Sequence, residues 1–255
     1  MVKGFPGLLV RAVPVPAGLI RTALSRGHAW RPAGPVRRLA FAWLALLLAL
    51  ACAPALAAER PVLLVMGDSL SAAYGIERHE GWVSLLAERL DGKAQVVNAS
   101  ISGETSSGGA NRLPELLGQH APDIVLLELG GNDGLRGLPP GQFEANLTDM
   151  IEASREAGAE VLLLGIDIPP NYGQAYRDAF TGVFLRLAEA YELALVPFLL
   201  EGVALEDGLM QDDGIHPTAD AQPIILDTVW PELEPLLEEN GAEAATLSGA
   251  PADQD

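Results

Sequence analysis

Between residues 60 and 240 the chain repeats one pattern five times: a short continuous apolar run, then a longer amphipathic stretch. The apolar runs cover residues 62–66, 95–99, 124–129, 161–166 and 193–198. They lack the polar alternation of a sheet with one wet face, and so predict strands buried on both faces, as in a parallel sheet. The stretches 81–90, 107–119, 142–157 and 175–191 carry helical spacing of apolar residues. A last one, 219–239, contains Pro223, Pro231 and Pro235, which are expected to shorten or break it. Five β-α units in one domain imply a doubly wound fold, a three-layer α/β/α sandwich around a five-stranded parallel sheet. Such a sheet places its site beyond the carboxyl ends of the strands.

The two ends of the chain differ from this middle. Arg37-Arg38, the apolar run 39–53 and the small residues Ala55-Leu56-Ala57 form the charged flank, core and cleavage site of a secretory signal peptide. Cleavage is expected after Ala57 or Ala58, and residues 1–35 make an unusually long extension before it. The organisation read from the sequence is therefore a leader over 1–58, a folded domain over 59–240 and a disordered acidic tail over 241–255. Cys52, the only cysteine, falls in the leader, and Ala49-Leu50-Ala51 before it is a poor lipidation box. The exported domain then has no disulfide, catalytic thiol or thiolate metal site, and must be held by its core alone. From residue 59 onward there are nine basic against 34 acidic residues, a formal charge of −25. That charge argues against nucleic acid and against adsorption to anionic lipid. A periplasmic or secreted protein is expected, without a stable membrane anchor and monomeric.

Four polar, glycine-rich segments fall where a site is expected. Gly67-Asp68-Ser69-Leu70 follows the first run, Ser100-Ile101-Ser102-Gly103-Glu104-Thr105 the second, and Gly130-Gly131-Asn132-Asp133 the third. Asp212-Asp213-Gly214-Ile215-His216-Pro217 precedes the last amphipathic stretch. Acyl transfer by serine needs a nucleophile, a base, a group that orients the base, and donors for the developing oxyanion. Ser69, on a turn after the first strand, is the candidate nucleophile; alone it reads more readily as a helix N-cap. His216 is the candidate base. His28 lies in or before the leader, and His79 and His120 read as surface residues. Asp213, three residues earlier, can reach the imidazole Nδ1 and leave Nε2 to accept a proton. Asp212 is its rival, and either could instead cap the last helix. Asn132 offers an amide donor, or an Asx-turn, while Gly103 and Ser69 offer backbone N–H groups. The run 103–109 lacks the spacing of a nucleotide-binding loop, and no metal-ligand spacing occurs, so no cofactor is expected.

These four segments together resemble the SGNH, or GDSL, hydrolase superfamily, and within it the bacterial periplasmic branch of thioesterases, lysophospholipases and arylesterases. The stretches carrying the likeness are Met66-Gly67-Asp68-Ser69-Leu70-Ser71-Ala72, Val97-Asn98-Ala99-Ser100-Ile101-Ser102-Gly103-Glu104-Thr105, Glu128-Leu129-Gly130-Gly131-Asn132-Asp133-Gly134-Leu135-Arg136-Gly137 and Met210-Gln211-Asp212-Asp213-Gly214-Ile215-His216-Pro217. The resemblance implies a flavodoxin-like sheet and a Ser69, Asp213, His216 triad. It implies an oxyanion hole of Ser69, Gly103 and Asn132, and an open cleft for esters, thioesters or lysolipids. Loops 134–140 and 169–173 would border that cleft, with Leu135, Leu138, Ile168 and Tyr172 as candidate acyl contacts. Two other readings stay open: a carbohydrate acetyl esterase on the same fold, and a binding module without activity.

Overall fold

The computed structural model describes residues 60–247, with side chains to Gly241. The expected leader, and the part of the expected tail over 248–255, lie outside the described residues. Five strands form one all-parallel sheet: β1 (Val62–Gly67), β2 (Gln95–Asn98), β3 (Ile124–Glu128), β4 (Glu160–Leu164) and β5 (Ala194–Val196). Their order is β2-β1-β3-β4-β5, so the winding reverses between β1 and β3. Ligands bind at such a reversal, because the chains leaving the two strands diverge there and open a crevice.

Six helices cover the sheet: α1 (Trp82–Leu90), α2 (Ser106–His120), α3 (Gly131–Leu135), α4 (Pro140–Glu156), α5 (Gln174–Tyr191) and α6 (Gln222–Leu247). Helix α1 packs with α6, α2 with α4, and α4 with α5, which gives a helical layer on each face of the sheet. β1, β3 and β4 are buried on both faces, as continuous apolar runs require. The edge strands depart from that expectation: β2 exposes Gln95 and Asn98, and β5 buries only Val196 fully. An edge position leaves one flank of a strand uncovered, so an apolar run there is only half buried. The core is filled by aliphatic strand residues and by Trp82, Phe143, Phe180 and Phe184. Phe143 stacks on Phe180 at 4.8 Å and meets Phe184 edge-on at 5.3 Å.

The last helix corrects two expectations. Pro231 and Pro235 lie inside α6 and do not end it. Ile225, Leu226, Val229 and Leu233 form a buried face of this helix, against α1, β4 and β5. Each buried aliphatic side chain contributes about 1.5–3 kcal/mol, so the four together offset about 3 kcal/mol for each of the two interior prolines. Arg89 adds an ion pair to Asp227 at 2.5 Å and lies over the Trp230 ring at 5.0 Å. The helix also continues to Leu247, past Gly241 where the tail was expected to begin.

Candidate active site at the carboxyl edge of the sheet

The site begins where β1 stops. Gly67 pairs in register with Glu128 of β3, and a Cβ on Gly67 would lie 2.6 Å from Glu128 Oε2 and 2.9 Å from Ser100 Oγ. Only glycine lets the strand end this close to its neighbours. The chain then winds through turns over residues 69–75, with the Ala72 N–H donating to Asp68 O at 3.0 Å and the Tyr74 N–H to Ser69 O at 3.2 Å. Helix α1 starts only at Trp82, so Ser69 caps no helix. The local capping falls to Asp68, whose Oδ1 accepts the Leu70 N–H at 3.1 Å.

His216 reaches Ser69 from the connection between β5 and α6. Its Nε2 lies 2.9 Å from Ser69 Oγ, and its Nδ1 lies 2.6 Å from Asp213 Oδ2. Asp213 Oδ1 also accepts the N–H groups of Ile215 at 2.9 Å and His216 at 3.0 Å. The hydrogen bond with the His216 ring, followed by these two backbone donors, holds the Asp213 carboxyl down from 3.8 to about 2. The carboxylate therefore stays charged beside the imidazole at any working pH. Asp213 and not Asp212 meets the ring, and Thr218, not an aspartate, precedes the short helical turn that leads into α6.

Gln211 is a residue the sequence reading missed. Its backbone N–H donates to His216 O at 2.7 Å, closing a loop in which Gly214 takes φ +65°. Its side-chain amide donates to Pro217 O at 2.8 Å and to Tyr74 O at 2.9 Å, tying this loop to the turn that carries Ser69. The Tyr74 ring packs 4.3 Å from the His216 ring.

Asn132 sits in the first turn of α3, after Gly130 at φ +124°. Its amide nitrogen donates to Asp68 Oδ2 at 3.0 Å, so its side chain is held across the β1–β3 crevice beside Ser69, and it forms no Asx-turn. Gly103 takes φ +82° in a turn where the Glu104 N–H donates to Ile101 O at 3.0 Å, a positive φ that this turn position reserves for glycine. Arg136 donates to Gly103 O at 3.1 Å and links that turn to α3. The rest of the glycine-rich run starts α2, with Thr105 as its N-cap accepting from the Gly108 N–H.

Two buried carboxyls lie under the site. Glu128 is fully buried; its Oε2 accepts the Asp68 N–H at 3.1 Å and the Ser71 hydroxyl at 2.8 Å, while Oε1 has no partner. Burial first, then the nearby charge of Asp68, pushes the Glu128 carboxyl well above its usual range. Burial also lifts Asp68 from 3.8 to about 6, against the lowering effect of its hydrogen bonds from Leu70 and Asn132. The Trp82 indole N–H donates to Ser71 Oγ at 3.2 Å and joins α1 to this network.

Beside Ser69 and His216 opens a cleft of about 480 Å³. Leu135 and Ile168 line it. Leu138 and Tyr172 do not: Leu138 faces solvent, and the Tyr172 hydroxyl donates to Leu135 O at 2.6 Å, bracing the lining from behind. The opposite wall comes from Phe198, Leu200, Leu205 and Met210 in the β5–α6 connection. Apart from Asp68 and His216, the charged lining residues are Asp167 and Arg177, which form an ion pair with each other. Leu135, taken by the sequence as part of a polar loop, belongs to a short helix. Among the described residues no group of three or more metal-ligating side chains converges, and no helix is long and apolar enough to cross a membrane.

Known proteins resemble this chain in sequence and in fold. Residues 65–222 match the GDSL-like lipase/acylhydrolase family. Esterase TesA of Pseudomonas aeruginosa is 54% identical over 183 residues, which span 71% of this chain and 91% of that protein. The thioesterase 1/protease 1/lysophospholipase L1 of Escherichia coli K12 is 49% identical over 181 residues, 71% of this chain and 87% of its own. A crystal structure of TesA superposes with a TM-score of 0.67 at 54% identity, covering 69% of this chain and 99% of that one. With the β1–β3 crevice, the serine turn and the histidine loop in place, this chain belongs to the GDSL-like lipase/acylhydrolase family.

Proposed function

We propose that this protein is an exported serine esterase that hydrolyses carboxylic esters and thioesters through an acyl-enzyme on Ser69. One observation carries the reading: His216 Nε2 lies 2.9 Å from Ser69 Oγ while its Nδ1 lies 2.6 Å from Asp213. In this reaction Ser69 Oγ attacks the acyl carbon as its proton passes to His216 Nε2. Asp213 holds the ring in the tautomer that leaves Nε2 free and stabilises the imidazolium that forms. The negative charge arriving on the carbonyl oxygen is met by the Ser69 and Gly103 N–H groups and the Asn132 amide, each such donor contributing about 2.7–4 kcal/mol in the transition state. His216 then protonates the departing alkoxide or thiolate, and a water activated by the same nitrogen releases the acid.

The apolar cleft supports acyl chains as the group held during the reaction, with Leu135 and Ile168 on one wall and Phe198, Leu200 and Met210 on the other. A thiolate leaves readily, so thioesters suit the site. Coenzyme A esters are cytosolic, however, and the leader sequence directs this protein to the periplasm or beyond. Lysophospholipids, fatty-acid esters and aryl esters are then the natural substrates. A carbohydrate acetyl esterase would need polar groups in the cleft, and a lining built mainly of apolar side chains disfavours it.

Esters of increasing acyl length, assayed on the wild type and on Ser69→Ala, test the reading. Turnover should rise with chain length in the wild type by up to about fourfold per buried methylene, and should be absent in the variant. Preference for acetylated xylan over every long-chain ester would support the carbohydrate reading instead.

A further inference from the structure

Seven large apolar side chains are well exposed among the described residues, and five of them share one edge of the molecule. Tyr74 follows β1, Ile101 follows β2, Leu138 follows α3, and Leu205 and Ile215 lie in the β5–α6 connection. All five stand on connections that leave the carboxyl ends of the strands, around the cleft. The other two, Leu185 and Ile224, sit on separate helices. Leu205 is 96% exposed and does nothing for the core. Grouped exposed apolar residues of this kind mark a surface that meets a partner.

We propose that this rim docks the protein, cleft mouth downward, on an uncharged or zwitterionic lipid surface, from which a single-chain acyl substrate enters the cleft. The inference rests on the esterase reading of the cleft beneath. Leu205 and Ile215 belong both to the rim and to the cleft lining, so an acyl chain leaving a lipid layer passes along continuous apolar surface to Ser69. Tyr74, whose ring packs at a tilt against His216, carries that surface up to the reacting residues. Charge selects the occupant. The chain beyond residue 58 carries a formal −25, with Glu206 and Asp207 directly after Leu205. A second copy would set −25 against −25, and an anionic bilayer would repel the same surface. An uncharged or zwitterionic surface offers apolar contact without that repulsion.

Flotation with phosphatidylcholine vesicles tests this, using the protein with Ser69→Ala so that no lipid is consumed. The protein should float with the vesicles. Adding Ile101→Ser or Leu205→Ser should weaken partitioning by about tenfold each, from the loss of a side chain that becomes buried at the interface. Vesicles mixed with phosphatidylglycerol at low salt should bind less. Failure to float, flotation unchanged in both variants, or tighter binding to the anionic vesicles would overturn the proposal. So would a dimer in sedimentation equilibrium that Leu205→Ser dissolves, since the rim would then seat a second copy. With Ser69 intact, Ile101→Ser should hydrolyse a short water-soluble ester at the parent rate. Absence of that hydrolysis in the parent would instead overturn the esterase reading and leave the flotation result to stand alone.

Discussion

Asp68 is 2% exposed, and burial lifts its carboxyl from 3.8 to about 6, so at about pH 8 the folded chain carries a charge that the unfolded chain solvates better. Between those two values the folded state binds more protons than the unfolded state. Stability from this group is therefore fully present below about pH 4 and is lost as pH rises through about 6. The loss amounts to about 3 kcal/mol at 1.36 kcal/mol for each tenfold step. Asp68→Asn removes this titration. The asparagine has one carbonyl oxygen, whereas both Asp68 oxygens accept hydrogen bonds, from the Leu70 N–H and from the Asn132 amide. Losing one of the two costs about 1 kcal/mol. The variant should be about 2 kcal/mol more stable than the wild type at pH 8 and about 1 kcal/mol less stable at pH 4.

Urea unfolding of both proteins at several pH values between 4 and 8 measures this crossover. A difference that stays constant across the range would refute the reasoning, because a carboxyl lifted to about 6 must make the two proteins diverge as the pH rises through that value. The same change should weaken catalysis. With its acceptor altered, the Asn132 amide loses the orientation it needs toward the oxyanion, and kcat should fall tenfold to about a hundredfold with KM little changed. Stability gained together with kcat lost would identify Asp68 as a charge kept for positioning.

Other perturbations follow from single contacts. Asp213→Asn should leave KM near the wild-type value and lower kcat by about 10³- to 10⁴-fold, because the amide no longer fixes the His216 tautomer; steady-state kinetics on a soluble ester would show it. Gly165→Ala should destabilise the fold by about 1–3 kcal/mol, measured as a fall in Tm, since its Cβ would lie 2.9 Å from the Pro197 carbonyl carbon and the backbone there cannot yield without disturbing β5.

The strands and the place of the site were legible because each depends on local pattern. Continuous apolar runs give buried strands, and polar glycine-rich segments after them fall at the carboxyl edge by topology alone. What the sequence withheld depends on distant pairing. Glu128 reads as the polar end of an apolar run; only the register that sets it against Gly67 makes it a buried acid under the Ser69 turn. Gln211 looks like an ordinary loop amide until the Tyr74 and Pro217 carbonyls converge on it. Leu138 and Tyr172 have the apolar character and the loop positions of cleft residues, yet α3 ends before Leu138 and leaves it facing solvent, while a hydrogen bond turns Tyr172 into a support for Leu135. The wall from Phe198 to Met210 was missed because that connection has no periodic pattern to read.

The central claim is that Ser69 carries the acyl group. Rapid quenching of the protein with a slow-turnover ester, followed by mass spectrometry of its peptides, tests this directly. The account predicts one acyl adduct per chain on Ser69, formed in a burst and absent in Ser69→Ala. An adduct on any other residue, or ester hydrolysis that survives Ser69→Ala, would contradict it.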